Sequence, residues 1–544
     1  MKTRTALSIV KGMIFTFLLI APAVLNQSLA ASKPPNIIFI LTDDQRLEDV
    51  EHMPIAIRLL RDNGMSFNNY FSNVSLCCPS RTSILRGQYA HNTGVLTNKP
   101  PNGGFRIAHS VGLENSTVAT WLHARGYQTA LIGKYLNQYP GNAGATYVPP
   151  GWDYWASSSK SAGHEYGEYD YTLNENGKLV SYGHQAEDYG TDVYARKAND
   201  FIRNSIQGSK PFFLYLAFYA PHAPATPAPR HLGLFTDAKI PRTKAFNEAD
   251  VSTKPNFIQK LPLMTNEEIK LADAYYGRRL AALQAVDEAI GSICKTLGDA
   301  HELENTYIVF TSDNGYHLGE HRLPRGKQTA YETDIHLPLI VRGPGISKGS
   351  TAEGLVGNID LAPTFCDIAG ASVPDFVDGR SLLPIFHGNK QADLNWRKEF
   401  LVEHWRVPRP KSTQNRTANK TLDRQFEPAS YKREDASEIE EEKDEVHAES
   451  KAPTGSQTGN RRTAPYGLTD PADWQNKEFG NIPNLHALRS HDEIYVEYVT
   501  GEKEFYRLTE DPDEIDNIVS SPKVQNEVSE KHLDLSRLKN AGKN

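Results

Sequence analysis

Cysteine is scarce in this chain: 544 residues hold only Cys77, Cys78, Cys294 and Cys366. That scarcity excludes a disulfide scaffold and leaves stability to a buried core. Positive charge is not in excess either, because 59 lysines and arginines face 66 aspartates and glutamates, a net charge of −7. A field of that sign argues against nucleic-acid binding, and any anionic ligand must be met by a local basic cluster. Beyond residue 30 no apolar run is long enough to span a membrane. Internal repeats are absent as well.

What is present begins with Lys2, Arg4 and Lys11, a nearly apolar stretch over residues 13–25, and the small-x-small triplet Ser28-Leu29-Ala30. This pattern predicts a signal peptide over residues 1–30 and export to the periplasm or the extracellular space. No cysteine follows the apolar run to take a lipid. The length then calls for two domains, or one large domain with additions.

The region from Asn36 to about Gly388 reads as alternating strands and helices. Asn36-Ile37-Ile38-Phe39-Ile40-Leu41 is a continuous apolar run of the kind found in buried parallel strands. A helix over 117–125 ends at Gly126, with Asn115 or Ser116 as its cap, and leads into the strand-like run 128–132. Thr265 and Glu268 make a capping box before a long helix whose Leu283, Val286, Ile290, Ile293 and Leu297 form one apolar stripe. The alternation predicts an α/β fold, a large, mostly parallel sheet flanked by helices. Residues 396–540 form a small C-terminal α+β subdomain. It includes a polar insertion over 407–472, expected to be partly disordered, then a strand pair around Thr500-Gly501 and a last amphipathic helix.

Chemistry concentrates at Cys77-Cys78-Pro79-Ser80-Arg81, which opens a short helix ended by Gly87. Pro79 suits a first helical turn and Gly87 a helix end. Cys77 therefore lies beside a helix N-terminus, which attracts anions, and Arg81 sits about one turn further in. A buried thiol pair or a vicinal disulfide are the plainer readings of the two cysteines. Polar groups also gather at the carboxyl ends of the predicted strands, where open α/β sheets bind ligands. Thr42-Asp43-Asp44-Gln45 follows the first strand, and Gly133-Lys134-Tyr135 the run ending at Ile132. His222 follows the run ending at Tyr219, and Ser312-Asp313-Asn314-Gly315 the run ending at Phe310, with Gly326-Lys327 soon after. Singly, Asp43 could cap a helix, Asp313-Asn314-Gly315 could be a turn and His222 a satisfied loop histidine. Together, Asp43, Asp44, Asp313 and the Asn314 carbonyl make an all-oxygen donor set that suits Ca²⁺, with Mg²⁺ second.

Cys-x-Pro-Ser-Arg followed by Leu-x-Gly resembles the maturation signature of the type I, formylglycine-dependent sulfatases of the alkaline phosphatase superfamily. Leu318-Gly319-Glu320-His321, Asp378-Gly379-Arg380-Ser381-Leu382 and Tyr506-Arg507-Leu508 extend the resemblance along the chain. Cys77 to Arg81 with His91-Asn92, and Lys134-Tyr135-Leu136-Asn137, are most similar to N-acetylglucosamine-6-sulfatases and related heparan-sulfate sulfatases. The resemblance implies that 31–395 is a sulfatase catalytic domain of alkaline-phosphatase-like fold. It implies that a maturation enzyme oxidises Cys77 to formylglycine, whose oxygen joins Asp43, Asp44, Asp313 and Asn314 around the metal. Arg81, Lys134 and Lys327 would then neutralise the sulfuryl group, and His222 would serve the leaving oxygen. Lys134, His222, His317 and Lys327 would contact the substrate, a sulfated carbohydrate or an aryl sulfate. Two positions depart from the family pattern: Arg86 replaces the usual threonine, and Leu136 stands where many arylsulfatases carry histidine. The base for sulfate elimination is then His317 or His91, either of which could equally be a supporting contact. The alternatives are a phosphonate or phosphodiester hydrolase of the superfamily and a non-catalytic glycan-binding relative. Asn314 disfavours the metal-dependent phosphatases, which tend to carry histidine there, and the complete residue set disfavours a mere binder.

Overall fold

Four apolar runs, predicted from sequence as buried strands, lie side by side at the centre of one sheet. The computed structural model describes residues 33–159, 164–407 and 482–541. The predicted signal peptide, and the predicted insertion beyond residue 407, fall outside the described residues. The main-domain strands in chain order are β1 (Asn36–Thr42), β2 (Met65–Phe67), β3 (Tyr70–Phe71), β4 (Gln128–Gly133), β5 (Tyr154–Ser158) and β6 (Thr172–Glu175). They continue as β7 (Lys178–Ser181), β8 (Phe212–Ala217), β9 (Thr306–Ser312), β10 (Leu339–Arg342), β11 (Ser350–Ala352) and β12 (Val356–Gly357).

Ten of these strands make one sheet in the order β11-β2-β10-β9-β1-β8-β4-β5-β6-β7. The central five, β9-β1-β8-β4-β5, are parallel. The margins are mixed, since β10, β6 and β7 return antiparallel while β11 pairs parallel with β2. A parallel centre must be covered on both faces, and β1 shows how. Its Ile37, Phe39 and Leu41 enter one apolar cluster with Ile84, Leu122 and Phe365. Ile38 and Ile40 enter the opposite cluster with Ile202, Val286, Ile290 and Ile293. The expected stripe on the long helix Asn266–Asp299 is buried at every position, and its capping box forms, with the Thr265 N–H donating to Glu268 at 2.8 Å. The other expected cap moves: Thr117, paired with Thr120, caps helix Val118–Ala124. Residues Leu113–Asn115 form their own short 3-10 turn, which pushes the helix start later.

Register decides where the functional edge falls. Thr42 pairs with Ser312, Leu41 with Ala217, and Gly133 with Ala217, so four adjacent strands end level. Backbone bonds carry the alignment past the strand ends: Asp313 N–H to Thr42 at 3.1 Å, Lys134 N–H to Ala217 at 2.9 Å and Phe218 N–H to Leu41 at 2.9 Å.

The C-terminal region is a four-stranded antiparallel sheet of β13 (Phe400–His404), β14 (Leu485–Arg489), β15 (Glu493–Tyr498) and β16 (Lys503–Arg507), in that order. The predicted hairpin is β15–β16. Local pattern missed β13–β14, because the partners Phe400 and Arg489 flank the polar insertion. Helix Gln525–Leu538 closes the region.

Deleting buried methylenes leaves a cavity that the surroundings only partly fill, whereas exposed leucines carry little. Ile290→Ala, at 0% exposure, is expected to cost about 2–5 kcal/mol in denaturant unfolding. Leu533→Ala, at 68% exposure, is expected to change stability by less than about 0.5 kcal/mol.

Candidate active site

The level strand ends deliver side chains to one place, and two local backbone features aim them. Gly133 has φ +101°, and a Cβ there would lie 1.8 Å from the Ala217 carbonyl oxygen, so only glycine lets the chain turn into Lys134. Asp44 has φ +66°, a left-handed conformation that aspartate tolerates better than most residues. In an extended strand Asp43 and Asp44 would point to opposite faces; this turn lets both carboxylates enter the same site. The Cys77–Arg86 helix is buried along its whole length and ends at Gly87 with φ 66°, as its sequence predicts. Ser80 on that helix donates to the Asp313 carbonyl at 2.6 Å, locking the helix under the β9 end.

The groups interlock as alternating charges. Lys134 binds an oxygen of Asp43, and Lys327 binds an oxygen of Asp44. Arg81 Nε donates to Asp313 at 2.8 Å, its Nη1 donates to the Lys134 carbonyl at 3.0 Å, and its Nη2 lies 3.7 Å from Asp43. Lys327 also reaches Cys77 Sγ at 2.8 Å, and that sulfur is 3.5 Å from Asp43 Oδ1. The His222 Nδ1 faces the Ala223 carbonyl at 2.8 Å, which must accept, so Nδ1 carries the proton. Its Nε2 is then turned to Asp44, at 3.6 Å.

These charges are buried, and an unpaired charge there would cost several kcal/mol. Burial by itself pushes the Asp43 carboxyl up, but the charges of Lys134, His222 and Arg81 outweigh it and hold the group down at about 2. Asp44 is likewise held low against burial, chiefly by Lys327. Lys134 and Lys327 are held protonated by the same carboxylates despite their desolvation. Cys77 goes the other way. Burial and the nearby Asp43 charge push its thiol up to about 12, more than the two lysines draw it down.

The donor atoms of Asp43, Asp44, Cys77 and His222 lie within 4.8 Å of one another. Asn314 Nδ2 donates to Asp44 at 2.7 Å, while Asn314 Oδ1 is buried with no hydrogen-bond partner. A buried amide oxygen beside three carboxylates fits a hard cation, which takes oxygen donors. Asp313 spends one oxygen on the Asp44 N–H at 3.1 Å and the other on Arg81, and each keeps a lone pair.

Eight of the predicted residues, Asp43, Asp44, Cys77, Arg81, Lys134, His222, Asp313 and Asn314, thus come together, with Lys327 joining from the next loop. His317 pairs with Asp334 at 3.0 Å and exchanges backbone bonds of 2.8 and 3.0 Å with Gly326, next to Lys327. His91 instead lies against Glu403 of β13 at 2.9 Å and the Ala541 carbonyl at 3.2 Å, at the junction with the C-terminal sheet. Arg86 donates to the carbonyls of Leu113 and Ser116 and covers Phe376. Sequence reasoning passed over Arg279, fully buried on the long helix, which donates to the carbonyls of Asp44 and Pro221 and so ties two site loops together. Its signal was an arginine set among core alanines and leucines. Tyr166 was also passed over; its ring packs on His222 with centroids 4.5 Å apart and lies 4.9 Å from the Lys134 ammonium.

The family profile described as Sulfatase matches residues 35–371, and that described as N-sulphoglucosamine sulphohydrolase, C-terminal, matches residues 319–446. The N-acetylglucosamine-6-sulfatase of Homo sapiens is 40% identical over 382 residues, covering 69% of this chain and 68% of that protein. The extracellular sulfatase SULF-1 homolog of Drosophila melanogaster is 37% identical, but the match spans 69% of this chain and only about a third, 33%, of that protein. The structure of BT4656 in complex with its substrate D-glucosamine-2-N,6-O-disulfate superposes with a TM-score of 0.68 at 25% identity, covering 94% of this chain and 98% of that one.

A thiol held at about 12 has almost no thiolate at pH 8. Native protein produced without any maturation enzyme is therefore expected to leave Cys77 unlabelled by iodoacetamide at pH 8 and to label it fully once denatured. Fast labelling of native Cys77 would instead show a thiolate poised for attack.

Proposed function

The chain belongs to the sulfatase family, and from that membership we propose that it hydrolyses sulfate esters on sugars, with Cys77 in its formylglycine form and an oxygen-ligated divalent cation. One observation carries the reading: Cys77 lies where Lys327 and Asp43 meet, in a buried set that pairs Arg81, Lys134 and Lys327 with Asp43, Asp44 and Asp313. Lys327 at the sulfur, with Arg81 and Lys134 bound to the neighbouring carboxylates, suits a tetrahedral anion, and a thiol held at about 12 is a poor nucleophile toward it. Conversion of Cys77 by a formylglycine-generating enzyme replaces that sulfur with the oxygen of a hydrated aldehyde. A Ca²⁺ ion, with Mg²⁺ as second choice, would be held by Asp43, Asp44, Asp313, the Asn314 carbonyl and the oxygen of residue 77, and supplies polarisation of the sulfate oxygens.

The remaining work falls to the chain's own side chains. Arg81, Lys134 and Lys327 neutralise charge on the sulfuryl oxygens, and as preformed buried donors they need no reorganisation to do it. His222, fixed through its Nδ1–H, serves as acid in its doubly protonated form, in which Nε2 carries the proton given to the leaving oxygen. Lys134, His222 and Lys327 bind the sulfate, and His317, oriented by Asp334, is assigned to the substrate side of Lys327. The substrate is a sulfated carbohydrate, with aryl sulfates as surrogates. Export to the periplasm or extracellular space follows from the basic-then-apolar N-terminus. It is supported by the extracellular relative, and no helix among the described residues is long and apolar enough to cross a membrane.

Matured wild-type protein is expected to turn over 4-nitrophenyl sulfate and N-acetylglucosamine 6-sulfate far faster than bis(4-nitrophenyl) phosphate. Cys77→Ala should lower sulfate turnover by roughly a thousandfold or more, and Lys134→Ala by about a hundredfold. Removing divalent ions with a chelator should abolish turnover, and Ca²⁺ should restore it. Preferred phosphodiester turnover would instead select the phosphonate or phosphodiesterase reading, and full activity in Cys77→Ala would refute the nucleophile assignment.

A further inference from the structure

Beside the charged cluster lies a second group whose features concern something other than the sulfate. Tyr166, half-buried, packs edge-on against Tyr219 with centroids 4.9 Å apart and tilts onto His222 at 4.5 Å. Its ring therefore forms a wall next to the two groups, His222 and Lys134, assigned to the sulfate. The turn that carries it is anchored: Glu168 accepts the Thr191 N–H at 2.6 Å, and its carbonyl accepts the Gly190 N–H at 2.9 Å, at the start of helix Gly190–Ser205. Asn137, three residues after Lys134, approaches the same phenol with Nδ2 at 3.5 Å from Oη. Its own Oδ1 is buried and without a hydrogen-bond partner, although the residue is only 8% exposed. Such an atom is costly to leave unpaired. Whichever way the amide is turned, one of its polar atoms is left over; as placed, it is the acceptor.

We propose that Tyr166 and Asn137 form the sugar subsite of this enzyme, with the Tyr166 ring lying against the apolar face of a pyranose and Asn137 Oδ1 accepting a hydrogen bond from its hydroxyl or N–H. The inference rests on the sulfatase reading above and adds what the charged cluster lacks, namely recognition of the group that carries the sulfate. Aromatic rings suit the C–H face of a sugar as they suit other apolar surfaces, and a buried acceptor rejects a ligand that brings no donor. The ligand class is then a sulfated pyranose with a free hydroxyl or an amide N–H near the ester, rather than a bare alkyl sulfate.

The test uses matured full-length protein, with N-acetylglucosamine 6-sulfate as substrate and inorganic sulfate as competitive inhibitor. Asn137→Ala and Tyr166→Ala should each lower kcat/KM for the sugar sulfate about tenfold, mainly through KM. Tyr166→Phe should stay within about twofold of wild type, because the ring rather than the phenol does the recognition. The inhibition constant for inorganic sulfate should not move in Asn137→Ala or Tyr166→Phe, which keep the ring against His222 and Lys134. If Asn137→Ala does not fold, Asn137→Ser carries the same expectation. The proposal is overturned if sulfate inhibition weakens in step with sugar turnover in Asn137→Ala, if sugar turnover is unchanged, or if Tyr166→Phe falls as far as Asn137→Ala. Wild-type turnover of 4-nitrophenyl sulfate without turnover of the sugar sulfate overturns the subsite and leaves the sulfatase reading standing. Turnover of neither refutes the sulfatase reading itself.

Discussion

The ion network at the ends of β9, β1, β8 and β4 is what the rest of the site depends on. Arg81 holds Asp313 at 2.8 Å, Lys134 holds Asp43 and Lys327 holds Asp44, all within the protein interior. Each pair alone would be a poor bargain, since desolvating two ions costs about as much as their attraction returns. Interlocked, they hold one another in the charged state: the lysines keep Asp43 and Asp44 ionised, and the aspartates keep the lysines protonated. The level register of the strands makes this affordable, because it brings the four ends together before any side chain is considered.

The same network explains why the cysteine is a weak candidate for the reactive group. Thiolates are stabilised by uncompensated positive charge, as at helix N-termini or beside lysine. Here Lys134 and Lys327 are already engaged by carboxylates, and Asp43 itself lies 3.5 Å from the sulfur. The field at position 77 therefore favours a neutral thiol, while Lys327 still reaches that position at 2.8 Å. A site built for an anion but not for a thiolate is consistent with a residue that is chemically changed before it works.

Much of this was legible in the sequence, for a definite physical reason. A buried parallel strand is a continuous apolar run, so the polar residues just after it stand out, and Asp43, Lys134, His222 and Asp313 were found that way. Asn314 reads as an oxygen donor beside the carboxylates, but that the four surround one ion is implied only by family resemblance; its unpartnered Oδ1 adds a physical basis. What stayed hidden depends on long-range placement. Tyr166 and Arg279 reach the cluster from segments with no polar strand end to mark them. The β13–β14 pairing joins residues on either side of a long polar stretch, which no local periodicity can signal. The helix cap shifted from Asn115 or Ser116 to Thr117 because a short 3-10 turn competed for the preceding residues.

The central claim is that Cys77 is a precursor and that oxygen, not sulfur, does the chemistry at this edge. It is tested most directly by mass spectrometry of the peptide carrying residue 77, taken from preparations of graded specific activity. The account predicts that sulfate-ester turnover rises in proportion to the fraction of residue 77 in which sulfur has been replaced by an aldehyde oxygen. A fully active preparation whose residue 77 is an unmodified thiol would contradict it.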